Sequence, residues 1–349
     1  MLLKKLKKQK MAVGLVGQKV VIYGDNGTGK TTVALELGKE ICKKVSSNPD
    51  AAPVVLAFEN GTNAADDFYL VDGTDYKNTR ELLSDFTNAK NRDYILENTP
   101  VLIIDGVDKI PTIAKNYVTK KKDIESLGDL GYGKAYDIYK SYTDTPFIKL
   151  MSLTGVTIFF IYHDEIDDKE TGHVIPSGSG KDNGTGVICK YIRDNSDYAF
   201  YVKRPSNEDG SKAYSRAYCD DTSAYFGRNR YGEGAEAFDV DFNAKAVIDY
   251  VEQCGINLAK KRGIDYTTVV EKQEEVTKHM SHDELVEEIT RVGKILFSSS
   301  IKERAKEIIA EHTSETENGK ISEIESVRDL EYLLTDLTDL ASDRDIDIG

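Results

Sequence analysis

A chain of 349 residues, 40% of them apolar and only seven of them proline, is long enough for a sizeable core and is not a disordered protein. Its longest apolar runs, such as Thr157–Tyr162, are far too short to cross a bilayer, and the lysine-rich start has no cleavage-site pattern, which argues against export. A net charge of −14 counts against a general nucleic-acid binder, yet Thr267–Gly349 alone holds 21 of the 60 acidic and 10 of the 46 basic residues, which leaves the preceding body nearly neutral and able to carry a local basic groove.

In chain order, residues 1–15 form a basic segment with Lys4, Lys5, Lys7, Lys8 and Lys10, read as a solvated terminus that could also contact DNA. Residues 16–256 then alternate apolar β-rich runs with helical patterns, which predicts an α/β fold with a mostly parallel sheet. Strands are expected at 20–23, 54–58, 101–105, 156–162, 197–202, 213–219 and 224–226, and helices at 30–44, 134–153 and 243–254. Two stretches read as long polar loops: 117–133, which holds Lys120, Lys121 and Lys122, and the glycine-rich 163–186. Residues 257–280 read as a linker, and 281–349 as a small acidic all-α module with helices near 283–297, 301–312 and 324–340. Cys42, Cys189, Cys219 and Cys254 are scattered without metal-site spacing, as expected of a reduced cytoplasmic protein.

Chemistry begins after the first strand. Gly24-Asp25-Asn26-Gly27-Thr28-Gly29-Lys30-Thr31, followed by Thr32, matches the phosphate-loop pattern in full, between an apolar strand and an amphipathic helix. Backbone N–H groups of such a loop wrap phosphates at a helix N-terminus, Lys30 reaches the β/γ-phosphates of ATP, and the Thr31 hydroxyl ligands Mg²⁺. Four apolar residues, 101–104, deliver Asp105 to the carboxyl edge of the sheet as the second metal ligand, although Asp105-Gly106 is also a turn dipeptide. Hydrolysis further needs a group that orients or deprotonates water. Glycine follows Asp105, so the acid is sought elsewhere, and Glu59 ends the apolar run 54–58. Asp108 is a weaker competitor. His163 ends another strand on the same edge, as a γ-phosphate sensor or a structural histidine.

The phosphate loop, the strand-terminal Glu59, Asp105 without a following acid, and His163 ahead of a polar loop together resemble the RecA-like core ATPases. More narrowly, 131–134, the run into His163 and the strand 197–202 resemble compact phage-encoded RecA-like ATPases associated with single-strand annealing and recombination; the resemblance covers roughly 15–255. It implies Glu59 as the water-activating acid, His163 as the γ-phosphate sensor, and the two loops as single-stranded-DNA loops, with Lys120, Lys121 and Lys122 on phosphates and 164–186 as the second loop. It also implies an oligomer in which a neighbour supplies a basic finger, Arg228 or Arg230 of Gly227-Arg-Asn-Arg-Tyr-Gly232, with Lys203-Arg204 as the other candidate. The expected activity is DNA-stimulated ATP hydrolysis, with the acidic module available to a protein partner. A helicase or helicase-loader motor, and a nucleotide-switched protein-binding module, fit the same motifs.

Overall fold

The computed structural model describes residues 14–59, 66–129, 131, 134–180, 187–205, 214–231, 240–266, 282–299, 301–314, 316–324, 327–342, 344 and 346. The lysines of the N-terminal segment, most of the 257–280 linker, Tyr132, Gly133 and 181–186 lie outside these residues. The chain divides into two compact units, one of 1–87 with 94–277 and one of 88–93 with 278–349.

The first unit is built on one sheet. Its strands are β1 (Lys19–Gly24), β2 (Val54–Ala57), β3 (Tyr69–Asp72), β4 (Val101–Asp105), β5 (Thr157–Tyr162), β8 (Tyr198–Lys203), β9 (Arg216–Tyr218), β10 (Arg228–Asn229) and β11 (Val240–Asp241), and between β5 and β8 in sequence lies a separate hairpin of β6 (Asp164–Asp168) and β7 (His173–Pro176). The sheet order is β11-β9-β8-β1-β5-β4-β2-β3, with β10 also paired to β8. From β3 to β8 every pairing is parallel; β9, β10 and β11 add an antiparallel edge. One strand, β5, stands between the phosphate-loop strand β1 and the strand that ends in Asp105, which is the order of the RecA-like α/β fold.

Parallel strands covered on both faces read as continuous apolar runs, and the residues divide between two cores with a period of two. Val21, Tyr23, Leu102, Ile104, Ile158 and Phe160 face one core. It is capped by α2 (Tyr76–Thr87), α3 (Arg92–Asn98), α4 (Ile110–Lys122), α5 (Lys134–Met151) and α6 (Val187–Asn195). Val20, Ile22, Ile103, Phe159 and Phe200 face the other, under α1 (Lys30–Val45) and α7 (Ala244–Lys261). Each fully buried aliphatic or phenyl side chain contributes about 1.5–3 kcal/mol, so these central strands hold the edge residues in register.

Several expectations are corrected. Lys120, Lys121 and Lys122 are not in a loop: they form the last turn of α4, where cations complement the helix dipole, and Asp123 at φ 52° ends the helix. The buried positions Ala114 and Val118, four apart, keep this segment helical. The stretch after His163 is ordered as the β6–β7 hairpin as far as Pro176. Residues 224–226 form no strand of the sheet; Tyr225 makes a single bridge to Val174, and the strand lies instead at Arg228–Asn229. The exposed edge strand β3, the short α3, and α2, which buries Tyr76, Thr79, Leu83 and Phe86 at helical spacing, are additions to the expected elements. Helix α7 is capped by the Asn243 side chain, which accepts from the Ala246 N–H at 2.9 Å, and runs seven residues past the expected end.

The second unit contains α8 (His282–Phe297), α9 (Lys302–His312) and α10 (Val327–Ser342). Leu285, Ile289, Val292, Leu296, Ile308, Leu330, Leu333 and Leu337 form its own apolar core. His312 Nε2 pairs with Asp336 Oδ2 at 2.9 Å across α9 and α10.

Candidate nucleotide-hydrolysis site

Parallel register brings the strand ends to one edge. Gly24 lies opposite Val202, Ala57 opposite Asp105, and Asp105 opposite Ile161. At the exit of β1 a Cβ on Gly24 would stand 1.9 Å from the Val202 carbonyl oxygen, and its φ of 146° is one that side chains rarely adopt. Only glycine lets the loop leave the sheet so close to β8. The loop then closes on itself. Thr28 Oγ1 donates to the Asp25 carbonyl at 2.9 Å, and the Lys30 ammonium donates to the carbonyls of Gly24 at 2.6 Å and Asp25 at 2.7 Å. Burial lowers the proton affinity of Lys30, against the pull of Asp164, Asp105, Glu59 and Asp25. Such an ammonium gains by exchanging two loop carbonyls for phosphate oxygens. Asp25, Asn26, Gly27 and Thr32 stay exposed around it.

Thr31 Oγ1 donates to Asp105 Oδ2 at 3.0 Å, so the two expected metal ligands meet. Burial pushes the Asp105 carboxyl up, and the Thr31 hydrogen bond opposes this in part. A buried carboxylate short of counter-charge beside a hydroxyl is a hard, all-oxygen donor pair that fits Mg²⁺. When bound, that ion would supply positive charge to the phosphates.

Beside this pair stands a four-membered charge cluster. Glu59 follows β2, and the Phe58 N–H donates to the Asp105 carbonyl at 2.9 Å, which sets Glu59 across from Gly106. Gly106 has φ 85°, and a Cβ there would stand 3.0 Å from Glu59 Cγ. The glycine after Asp105 therefore makes the space that Glu59 occupies. His163 Nδ1 lies 3.2 Å from Asp108 Oδ2 and 3.4 Å from Glu59 Oε1. Lys109 Nζ lies 2.9 Å from Asp108 Oδ2 and 3.5 Å from Glu59 Oε1. Glu59 Oε1 is buried without a formed hydrogen bond. For Asp108, burial alone would raise the carboxyl; Lys109 and His163 outweigh it and hold the group below the usual range. Lys109 went unnoticed in the sequence, where its one signal is the run Asp105-Gly-Val-Asp-Lys109 leaving an apolar strand.

The hairpin after His163 is fastened to the same edge. The Tyr23 hydroxyl, on the strand that feeds the phosphate loop, donates to the carbonyls of Phe226 and Val174, the latter at 3.3 Å. Its ring packs on Tyr201, and Tyr201 on Tyr225. The hairpin carries Asp164, Glu165, Asp167, Asp168 and Glu170 against Lys169, and 181–186 of the expected second loop lie outside the described residues.

Arg228 and Arg230 do not approach the phosphate loop of their own chain. Arg228 pairs with Ala199 and Arg230 donates to the Asn195 carbonyl at 3.0 Å, both at the far end of β8. Lys203, the end of β8, and Arg204 are exposed on the loop's edge. Lys120, Lys121 and Lys122 are exposed at the end of α4 remote from Asp108. Among the described residues no helix is long and apolar enough to cross a membrane.

The family described as an AAA domain matches residues 16–231. The SPbeta prophage-derived uncharacterized protein YorG of Bacillus subtilis (strain 168) is 27% identical over 343 residues, covering 95% of this chain and 96% of that protein. Among solved structures, the flagellar accessory protein FlaH of Methanocaldococcus jannaschii is similar over 68% of this chain and 83% of its own, at 11% identity and a TM-score of 0.28.

Proposed function

The chain belongs to the AAA-domain family of ATPases, and we propose that it is an oligomeric, phage-encoded ATPase that works on single-stranded DNA in recombination, annealing or replication. The observation that carries the hydrolytic part is the position of Glu59. It lies in the space cleared by Gly106, beside the strand that ends in Asp105, on the edge that also holds Lys30 and Thr31. There it acts as the base: water loses a proton to the Glu59 carboxylate as its oxygen bonds to the γ-phosphorus and the bond to the β-phosphate oxygen breaks. His163 senses the γ-phosphate.

The phage setting draws support from the prophage relative, which is similar along nearly the whole length of both chains. The DNA part draws support from exposed Lys120, Lys121 and Lys122, carried on a helix whose first turn adjoins Lys109 and Asp108. Binding of phosphates at one end of α4 would thus bear on the charge cluster at the other. Arg228 or Arg230 reaches the γ-phosphate of a neighbouring copy, and the acidic module takes a protein partner. A second reading, a nucleotide-switched protein-binding module, is favoured by the acidic hairpin with its 61% exposed Ile166.

The test is the ATPase rate of the full chain at low salt, with single-stranded or double-stranded DNA added and oligomer size followed in parallel. Stimulation at least several-fold by single strands alone is expected, and lost when Lys120, Lys121 and Lys122 are changed together to Gln. No response to either DNA would end the DNA reading and leave the switch.

A further inference from the structure

Around Glu59 the chain holds a cation that the phosphate-loop chemistry does not require. Glu59, Asp108 and His163 each offer a ligand atom within 4.8 Å of the others, the spacing of a metal site. Two carboxylates this close repel each other unless a positive charge stands between them. The Lys109 ammonium supplies that charge, 2.9 Å from Asp108 Oδ2 and 3.5 Å from Glu59 Oε1. His163 Nδ1 completes the ring, in contact with the same two acids.

The four members are not equally held. The Asp108 side chain is 5% exposed and also faces the His163 N–H at 3.4 Å, so it is the fixed post. The Glu59 side chain is 32% exposed and its Oε1 is held only by the longer ion-pair contacts, 3.5 Å to Lys109 and 3.4 Å to His163, so it is the more loosely held acid. Lys109 is held in the tight turn directly after Asp105, where its N–H donates to the Gly106 carbonyl at 2.9 Å. Lys30, the other cation that acts on Glu59, is committed to the phosphate loop through Gly24 and Asp25.

We propose that Lys109 is a positioning residue for Glu59, tying the carboxylate to the Asp108 post through Oε1 so that Oε2 is aimed at the attacking water. The proposal rests on Glu59 as the base. It follows the general pattern in which a base is itself oriented by a third group. A base left free to rotate loses the geometry on which proton transfer depends, and a displacement of about 1 Å can cost on the order of 100-fold in rate.

The experiment compares Lys109→Met, Lys109→Arg, Glu59→Gln and the double variant Lys109→Met with Glu59→Gln in the full chain, measuring kcat for ATP, Kd for ATP and ADP, and thermal unfolding. Lys109→Met is expected to lower kcat by about 10- to 100-fold with both Kd values within about twofold, and Lys109→Arg to recover most of the rate. In the Glu59→Gln background Lys109→Met should cost less than about twofold more, because it acts through a group already removed. Should Lys109→Met unfold, Lys109→Gln keeps a long side chain without the charge and gives the same comparison. An unchanged kcat, a loss seen in ATP affinity instead, or additive losses in the double variant would each overturn the positioning role. Full turnover in Glu59→Gln overturns the base as well, whereas loss there with normal turnover in Lys109→Met removes only Lys109.

Discussion

Two lysines stand at the two ends of β1 and teach different things. Lys19, at the entry, is 4% exposed, and Lys30, just past the exit, is 8% exposed; burial lowers the proton affinity of both. Lys19 spends all three ammonium hydrogens on carbonyls: Gly17 in its own segment at 3.0 Å, and Leu153 at 2.9 Å and Val156 at 2.8 Å in the turn that leads into β5. Its own N–H is taken by Asp197 Oδ2 at 2.8 Å. Lys30 makes two bonds, both to carbonyls of its own loop. A buried charge that ties its own strand to a turn 134 to 137 residues away is a fastener. One satisfied by its own loop is held in readiness, because a ligand can replace those partners without undoing the fold.

The comparison breaks most visibly on exchange of either lysine for an apolar residue. Lys30→Met should weaken ATP binding at least about 100-fold, measured by fluorescence titration, while denaturant stability stays within about 1 kcal/mol, since both lost partners are carbonyls of one loop, that of Asp25 on an exposed residue. Lys19→Met should do the reverse: ATP affinity unchanged and stability down by about 2 kcal/mol, because three carbonyls at the sheet's entry lose their donor. Equal effects from the two would erase the distinction.

The same pair can be sharpened with pH. Burial brings the Lys19 ammonium down to about 8 from 10.5. Between those values the unfolded chain keeps a proton that the folded chain has released, so the Lys19 contribution to stability rises with pH. The penalty of Lys19→Met, measured by denaturant midpoint, is therefore expected to grow from pH 7.5 to pH 9, and a shrinking penalty would contradict it. The smallest expected effect is at Gly106. Alanine there must adopt φ 85° and meet Glu59 Cγ at 3.0 Å. A stability loss of about 1–2 kcal/mol is expected, with a fall in turnover that exceeds any fall in ATP affinity.

The features legible in the sequence were local ones. The phosphate loop announces itself because its glycines and lysine act through backbone geometry within eight residues. Glu59, Asp105 and His163 could be picked out because each is the first polar residue after an apolar run, and a parallel sheet brings such ends to one edge. What stayed hidden depended on partners far off in the chain. Lys109 sits in a run of ordinary turn residues until β2 lies beside β4 and brings Glu59 to it. The glycine after Asp105 looked like a missing acid, and the packing shows it to be the room for one. Lys120–Lys122 read as a charged loop, because a basic last turn buries little and leaves a faint period. Arg228 and Arg230 read in sequence like the other basic candidates, Lys203 and Arg204, yet antiparallel pairing with β8 carries them to the sheet's far end.

By itself, the sequence determined that a phosphate loop stands at the end of an apolar strand, and that the acids able to serve it end other apolar runs. The tertiary structure alone decided which groups surround Glu59, which of two buried lysines is a fastener, and which basic residues lie on the phosphate-loop edge of the sheet. The reason is that hydrogen-bonding needs of a loop are met within the loop, whereas the pairing of charges is set by strand register and burial, and these are properties of residues up to 178 positions apart.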